Sequence, residues 1–206
     1  MAPRTNQRER TRQALVDAAA SLLDEGRADP TIDEVTERAL VSRATFYRYF
    51  ESASDLMWQV FSDRSIPSTD ETFGDAGDDV TERVVRAEKV INDYLFGDAD
   101  GTRAFERAVL ERALNGTATD ADRAGRRLGY IDAALEPIVD RLSPADLVRV
   151  RHALALTMGS QVVSALLDTC KLDPETARDV TGFAVRAIAA EANRLAGVRP
   201  PLADSA

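Results

Sequence analysis

Residue types that bind metals or act as nucleophiles are scarce in this sequence. Its 206 residues include one cysteine, Cys170, and one histidine, His152. A single thiol cannot form an intrachain disulfide or supply the clustered thiolates of a zinc site. No glycine-rich phosphate loop and no pairing of a nucleophile with a base is visible. We therefore expect no enzyme activity, no cofactor and no metal site, and a reducing cytoplasmic environment.

Long apolar runs are also absent. The first ten residues lack the apolar core of a secretory signal, and no stretch reaches the ~18 apolar residues that span a bilayer. The longest apolar run, residues 153–167, is interrupted by Thr157, Ser160 and Gln161. We interpret this run as a buried helix and expect no membrane partner.

Aromatic residues make up 6% of the sequence, whereas hydrophobic residues reach 44%. Glycine and proline are sparse, and a composition dominated by Ala, Leu, Val, Arg, Glu and Asp favours helices over sheets. We predict an all-α fold. Beyond residue 79, helices are expected at about residues 80–97, 101–115, 120–141, 144–169 and 174–195.

Helix boundaries near the N-terminus are marked by residues that cap helices. Apolar residues at helical spacing predict a first helix over residues 14–23, which ends at Gly26. Hydroxyl residues mark the next three helix starts, in two cases with the acidic partner of a capping box. These starts are Thr31 with Glu34, Ser42 for a helix that runs to Phe50, and Ser52 with Asp55.

Charge is distributed unevenly along the chain. The net charge is −9, yet residues 1–50 hold eight basic and eight acidic side chains, so the negative excess lies beyond residue 50. Residues 66–79 contain five acids and no base, which predicts a mobile loop. An acidic body repels DNA and would confine DNA contact to the N-terminal end, where basic residues cluster. These clusters are Arg4, Arg8, Arg10 and Arg12, and then Arg43 and Arg48.

Residues 31–50, TIDEVTERALVSRATFYRYF, predict two short helices joined by a tight turn. Phe46 is expected to face inward, which leaves a polar and basic surface on the third helix. A helix of this size can enter a major groove about 12 Å wide, where an arginine pairs with guanine and hydroxyls contact phosphates. The alternative is an ordinary helical hairpin whose polar face is only solvated. The surface consists of Ser42, Arg43, Thr45, Tyr47, Arg48 and Tyr49.

The segment from Gln13 to about Leu56 resembles the TetR family of regulators. It shares a leading helix, a second helix that starts with Thr, and the pattern Val-Ser-x-x-Thr-Phe-Tyr-x-Tyr-Phe, here VSRATFYRYF at residues 41–50. The resemblance implies a transcriptional regulator, most often a repressor, that binds a palindromic double-stranded DNA operator as a homodimer and is released by a small-molecule effector. It places Ser42 and Arg43 nearest the bases. The DNA-contacting positions that it implies are Thr31, Ser42, Arg43, Thr45, Tyr47, Arg48 and Tyr49.

Two positions depart from the family pattern. The turn before the third helix usually has Gly where Leu40 stands, so the backbone there must avoid positive φ or accept strain. The fourth helix usually begins with a phosphate-binding Lys where Ala53 stands. One hypothesis is that the arginine-rich N-terminal arm supplies the missing phosphate contact.

The resemblance also assigns roles to the rest of the chain. The last two predicted helices would pair with those of a second subunit, since the first of them is apolar on more than one side and the last carries an apolar stripe. The stripe consists of Val180, Phe183, Ala184, Ala187, Ile188 and Leu195. The alternative is that both are core helices of a monomer. A ligand cavity is expected between the fourth and the eighth helix, although ordinary core packing is a strong alternative for each residue that would line it. These residues are Trp58, Phe61, Tyr94, Phe105, Met158 and Gln161.

The predicted organisation is therefore a helix-turn-helix DNA-binding domain over residues 1–52 and a ligand-binding and dimerisation domain over residues 53–206, with the mobile loop at 66–79. Two other classes remain open at this point. One is an enzyme, against which the scarcity of catalytic residue types argues. The other is a helical protein-interaction module whose DNA-binding region is vestigial, which the acidic charge and Ala53 would favour.

Overall fold

The computed structural model describes residues 3–27, 29–63, 66–117 and 126–198, and their regular elements are helical, which confirms the all-α prediction. A 3₁₀ turn covers Glu136–Arg141 and a π-helical turn covers Ser164–Thr169. The α-helices are α1 (Pro3–Asp24), α2 (Ile32–Arg38), α3 (Arg43–Phe46), α4 (Ala53–Asp63), α5 (Thr69–Phe73), α6 (Val80–Gly97), α7 (Ala99–Leu114), α8 (Arg127–Leu135), α9 (Pro144–Thr157), α10 (Ser160–Val163) and α11 (Pro174–Leu195).

The chain divides into two compact units. Residues 1–65 and 98–123 form the first unit, and residues 66–97 and 124–206 form the second. The first unit therefore contains α1 to α4 and α7, and the second contains α5, α6 and α8 to α11. The predicted boundary at residue 52 lies inside the first unit, and the functional division that it describes stays a prediction.

The first unit is organised around one apolar core to which α1, α2, α3, α4 and α7 all contribute. Phe46 and Leu15 are completely buried in it. The ring of Phe46 lies 5.8 Å from that of Phe50, and Phe61 on α4 lies 5.3 Å from Phe105 on α7. This core fixes the short α3 against longer helices, because a four-residue helix has too few hydrogen bonds to be stable alone.

The predicted helix starts in the first unit are present as hydrogen bonds. The Ser42 hydroxyl accepts from the Thr45 amide at 3.1 Å, and the Ser52 hydroxyl accepts from the Asp55 amide at 3.1 Å. The third helix ends at Phe46, and hydrogen-bonded turns follow it as far as Phe50. The first helix begins at Pro3 rather than near residue 14, so the arginine-rich segment is part of α1; the phosphate contact suggested for it stays a prediction.

The turn between α2 and α3 shows whether the backbone at Leu40 avoids positive φ or accepts strain. This residue has a φ of 55° and is 91% exposed. The Leu40 amide donates to the Glu37 carbonyl at 3.2 Å and the Val41 amide donates to the Thr36 carbonyl at 3.0 Å. These bonds define a Schellman motif, whose left-handed position glycine normally occupies. The chain accepts backbone strain at Leu40.

In the second unit, α6 packs against α8 and α11, and α9 packs against the same two helices. The Ser143 hydroxyl caps α9 through the Asp146 amide, and Asp173 caps α11 through two amides; each cap precedes a proline at the first helical position. The helices predicted over 80–97 and 174–195 have the observed bounds. Local capping therefore sets where these helices begin.

Three predictions for this unit are wrong in detail. The segment 66–79, predicted as a loop, contains α5, which begins with a capping box between Ser68 and Glu71. The helix predicted over 120–141 becomes α8 and a 3₁₀ turn, because Pro137 has no amide hydrogen to continue an α-helix. The beginning of that prediction, residues 120–125, lies outside the described residues.

The third correction concerns the helix predicted over 144–169, which is interrupted after Thr157. Met158 is extended and Gly159 has a φ of 118°. A Cβ at Gly159 would lie 2.5 Å from Arg127 Nη1 and 2.8 Å from Gln161 Oε1, so only glycine fits without displacing these side chains. The carbonyl groups freed by the break accept hydrogen bonds from side chains of other segments. The periodicity of the sequence does not reveal these bonds.

Candidate nucleic-acid interface

The outer face of α3 and of the turns that follow it is polar and basic. Phe46 and Phe50 are buried, while Ser42, Arg43 and Arg48 are exposed. Tyr47 is 51% exposed, and its ring meets the edge of Phe46 at a centroid distance of 5.4 Å. The buried phenylalanines therefore orient the rest of the segment outward, as the sequence predicted.

Two hydroxyls of this face are engaged locally. The Ser42 and Thr45 hydroxyls lie 2.9 Å apart, in addition to the bond from the Thr45 amide to Ser42. Thr45 is half-buried. These bonds stabilise the start of α3.

Arg43, the first residue of α3, is bound by a carboxylate from α2. Its Nη1 donates to Asp33 Oδ1 at 2.9 Å and to Oδ2 at 3.1 Å. Both side chains are mostly exposed to solvent. The hydrogen bond to Tyr47 and the negative charge of Asp33 raise the pKa of Arg43 above its ordinary value, so the guanidinium is always charged.

Arg48 differs from Arg43. It is exposed, and its guanidinium makes no hydrogen bond or ion pair within residues 3–27, 29–63, 66–117 and 126–198. Arg8 and Arg10 are likewise exposed on α1. Arg12 is held inward, with its guanidinium bonded to Gln59 at 2.5 Å and 5.4 Å from the Phe50 ring centroid.

Thr31 and Tyr49 are more constrained than the other predicted contact residues. The Thr31 hydroxyl donates to Glu34 Oε2 at 2.8 Å, and the Thr31 amide donates to the same oxygen at 2.9 Å. The capping box predicted from the sequence is therefore complete. Tyr49 is half-buried and packs against the apolar core of the first unit. This packing restricts the Tyr49 ring, and its contact with DNA stays a prediction.

The residues predicted to line a ligand cavity are divided between the two units. Trp58, Phe61 and Phe105 belong to the first unit, where Phe61 and Phe105 contact one another in the core and the Arg112 guanidinium lies 4.8 Å from the Trp58 ring centroid. Their contacts are those of core packing, and a ligand role stays a prediction.

Tyr94, Met158 and Gln161 belong to the second unit. Met158 is fully buried at the break after α9. The Gln161 amide donates to the Ala155 and Met158 carbonyls at 3.0 and 2.9 Å, and Arg127 Nη1 donates to the same carbonyls at 3.1 and 2.7 Å. Burial lowers the pKa of Arg127. The Gln161 and Arg127 side chains thus bind the freed carbonyls of Ala155 and Met158, whereas Tyr94 is half-buried on α6.

Sequence reasoning missed Asp33 as part of this interface. An acid in the first turn of a helix has an ordinary explanation, the favourable interaction with the helix dipole. Nothing in the spacing of Asp33 and Arg43 indicates that their side chains meet, because the angle between α2 and α3 decides it. Within the described residues, no three His, Cys, Asp or Glu side chains form a group that could hold a metal ion.

Comparison with known proteins agrees with the geometry of this segment. Residues 15–60 match the family model described as bacterial regulatory proteins, tetR family. No curated protein and no solved structure is significantly similar to the chain. In the part of the chain that is described, no helix has both the length and the apolar character needed to cross a membrane.

Proposed function

We propose that this TetR-family DNA-binding transcriptional regulator is a homodimeric repressor that binds a palindromic operator and is released from it by a small-molecule effector. The observation that carries the proposal is the exposed polar and basic face of α3, which lies inside the segment that matches the family model. We expect the protein to act in the cytoplasm and to have no enzymatic activity.

The side chains of this face divide into two groups by what they can contact. Arg43 and Ser42 lie at the N-terminal end of α3 and would meet base edges, since guanidinium pairs with guanine through two hydrogen bonds. The remaining positions would contact phosphates and so fix the helix in the groove. These positions are Thr31, Thr45, Tyr47, Arg48 and Tyr49.

The homodimer proposal is supported by the two apolar sides of α11. One side is buried in the protomer and consists of small residues such as Ala177, Val185 and Ala189. The other side carries the apolar stripe predicted from the sequence, and Phe183 in this stripe is 69% exposed. Leu156 on α9 is 76% exposed. A second copy would bury these side chains across a twofold axis, and a dimer would present two α3 helices to half-sites about 34 Å apart.

The effector proposal concerns the predicted lining residues. An effector would shift the population between two arrangements of the subunits that differ in the spacing of the DNA-binding segments. The mixed apolar and polar surroundings of Met158 and Gln161 support a role in binding, since small-molecule sites combine such groups. The experiment is a search for compounds that raise the melting temperature and release bound DNA; a regulator with no such compound would contradict this part.

DNA binding is tested by titrating the full chain against the duplex upstream of its own gene. We expect specific binding whose affinity falls steeply with salt, because cations on the protein displace counterions from phosphates. Arg48→Ala should weaken binding to all sequences and reduce the salt slope by about one. Lys89→Ala, which removes an exposed charge from α6, is the matched control and should bind normally. Binding that is insensitive to salt and to Arg48→Ala would refute the proposal.

Dimerisation is tested by sedimentation of the purified chain. Phe183→Asp should convert the dimer to a monomer, because it places a charge in the centre of the proposed interface. Leu114→Asp is a suitable control, since Leu114 is 85% exposed on α7 and lies outside that stripe. A wild-type monomer, or a dimer unaffected by Phe183→Asp, would rule out this interface.

A further inference from the structure

The Asp33 carboxylate is placed to act on DNA through Arg43. Both of its oxygens accept from Nη1 alone, at 2.9 and 3.1 Å. The Nη2 and Nε groups of Arg43 therefore take no part in the bond to Asp33. A guanine base needs two adjacent donors for its O6 and N7 acceptors, and these groups can provide them. The ion pair leaves these two groups outside its own hydrogen bonds, and the hydrogen bond between Arg43 and Tyr47 is a second contact that constrains the guanidinium.

A local electrostatic reason explains why the pair forms. Arg43 is the first residue of α3, and a positive charge at a helix N-terminus is disfavoured by the helix dipole. Asp33 lies in the first turn of α2, where a negative charge is favoured, and it offsets the charge of Arg43. The two helices of the motif are thus joined by an ion pair between their N-terminal turns.

The other arginine of the face has no such support. The Arg48 guanidinium is exposed and makes no hydrogen bond or ion pair among the described residues, so no contact there fixes its rotamer. A mobile cation can contact phosphates but selects poorly among bases. A guanidinium held in one orientation loses less freedom on binding and distinguishes better between base pairs.

We propose that Asp33 is a positioning residue that sets sequence specificity by holding Arg43 in the orientation in which it contacts a guanine. This inference rests on the proposed function, since it assumes that α3 enters the major groove. Asp33 also places a negative charge close to the phosphates, which lowers affinity for every sequence. We therefore expect the ion pair between Asp33 and Arg43 to weaken binding to DNA overall and to strengthen discrimination at one base position.

The experiment is a selection of bound duplexes from a pool with a randomised central region, made with the full-length protein. The wild type should enrich a palindromic sequence with a guanine at one position of each half-site. Arg43→Ala should lose the preference at that position. In the Asp33→Asn variant, the preference for guanine at that position should be at least about fivefold weaker than in the wild type. The variant should bind unselected duplex DNA as tightly as the wild type or more tightly.

Two controls separate positioning from simpler effects. Glu37→Gln removes the same charge from α2 at an exposed position outside the Arg43 contact, and it should keep the base preference. The double variant Asp33→Asn with Arg43→Ala should have the same preference as Arg43→Ala alone, because Asp33 acts only through Arg43. A structural defect would instead lower binding to all sequences alike, and melting temperatures of the variants check it directly.

The outcomes distinguish this inference from the proposed function. If the wild type enriches no sequence, the proposed function fails and this inference fails with it. If the wild type enriches a sequence and Arg43→Ala abolishes the guanine preference, the proposed function stands. Asp33→Asn with an unchanged preference, or Glu37→Gln with an equal loss, would then overturn the role of Asp33 alone.

Discussion

The two compact units bury different kinds of polar residue. Among the described residues of the first unit, the buried polar side chains carry hydroxyl groups, and they are Thr36, Ser54 and Thr102. In the second unit, the buried polar set includes two charged groups and an amide. This set consists of Thr72, Arg83, Glu88, Asn92 and Thr181. The second core therefore holds charged and amide groups whose hydrogen bonds must be made inside it, whereas the first core holds only hydroxyls among its described buried polar groups.

The buried amide of Asn92 is the centre of this difference. It donates to Glu88 Oε1 and to the Thr157 carbonyl, each at 2.9 Å, and it accepts from the Gly159 amide at 3.3 Å. Thr181 on α11 donates to the same Glu88 oxygen at 2.6 Å. Three helices thus meet through polar groups at the break after α9. The first unit is an apolar scaffold for a polar surface, whereas the second has a polar network inside it.

The largest expected effect on stability is that of Phe46→Ala in the first unit. Phe46 is completely buried, so truncation leaves a cavity in the core and should lower the free energy of unfolding by about 3–5 kcal/mol. Trp58 is the single tryptophan and lies in the first unit, so its fluorescence during urea unfolding reports on this core. Leu114→Ala, at an 85% exposed position, is the control. Equal unfolding curves for the two variants would show that Phe46 does not anchor the scaffold.

The next largest effect on stability is expected for Asn92→Leu in the second unit. It leaves the Thr157 carbonyl and the Gly159 amide without their partner and removes a donor from buried Glu88, which should cost about 2–4 kcal/mol. Asn193→Leu is the matched control, since Asn193 makes one bond of 3.3 Å to Thr81 and is half-buried. Hydrogen exchange of the α6 and α9 amides measures the loss. If leucine were tolerated at position 92, the contrast between the two cores would be wrong.

A smaller effect of opposite sign is expected at Leu40. Each unit has a non-glycine residue in the left-handed region, Leu40 at a φ of 55° and Lys171 at a φ of 59°. Replacing either by glycine should raise the free energy of unfolding by about 0.5–1 kcal/mol, the relief of strain less the added entropy of the unfolded chain. Leu40→Ala keeps the strain and should give no gain. Thermal unfolding of the three variants tests this expectation.

The smallest effect is the acid sensitivity of one ion pair in the first unit. The hydrogen bond from Arg107 lowers the pKa of Asp29. A carboxyl with a lower pKa in the folded state contributes stability that is complete above its unfolded pKa and is lost as pH falls through the folded value. Both side chains are largely exposed, so the contribution is about 0.5 kcal/mol at most after screening. At neutral pH the Asp29→Asn variant should be slightly less stable than the wild type, and the difference should disappear once the pH falls below the lowered pKa of Asp29.

Much of the helical architecture could be predicted because helix starts are local. Thr31 with Glu34, and Ser42 with Thr45, form bonds between residues three positions apart. The same holds for Ser143 and Asp146. The exposed face of α3 could be predicted for a related reason: two phenylalanines four positions apart lie on one face of a helix and leave the other face to solvent.

Other features could not be predicted because their causes are distant in sequence. The loop prediction for residues 66–79 relied on acidic composition, but the cap at Ser68 and the packing of Phe73 beside Tyr130 order a helix there. The break at Gly159 lies within an apolar run that reads as one helix. Its carbonyls are satisfied by Asn92 and Arg127, which are tens of residues away along the chain.

The amino-acid sequence by itself determined the helical class, the positions of most helix starts and the outward face of α3, since each follows from interactions within one or two turns. The tertiary structure alone decided that Asp33 meets Arg43, that Leu40 takes a strained conformation and that α11 buries one apolar side while exposing another. The physical reason is distance along the chain. The angle between two helices and the burial of a charged group depend on packing against segments that local patterns do not specify.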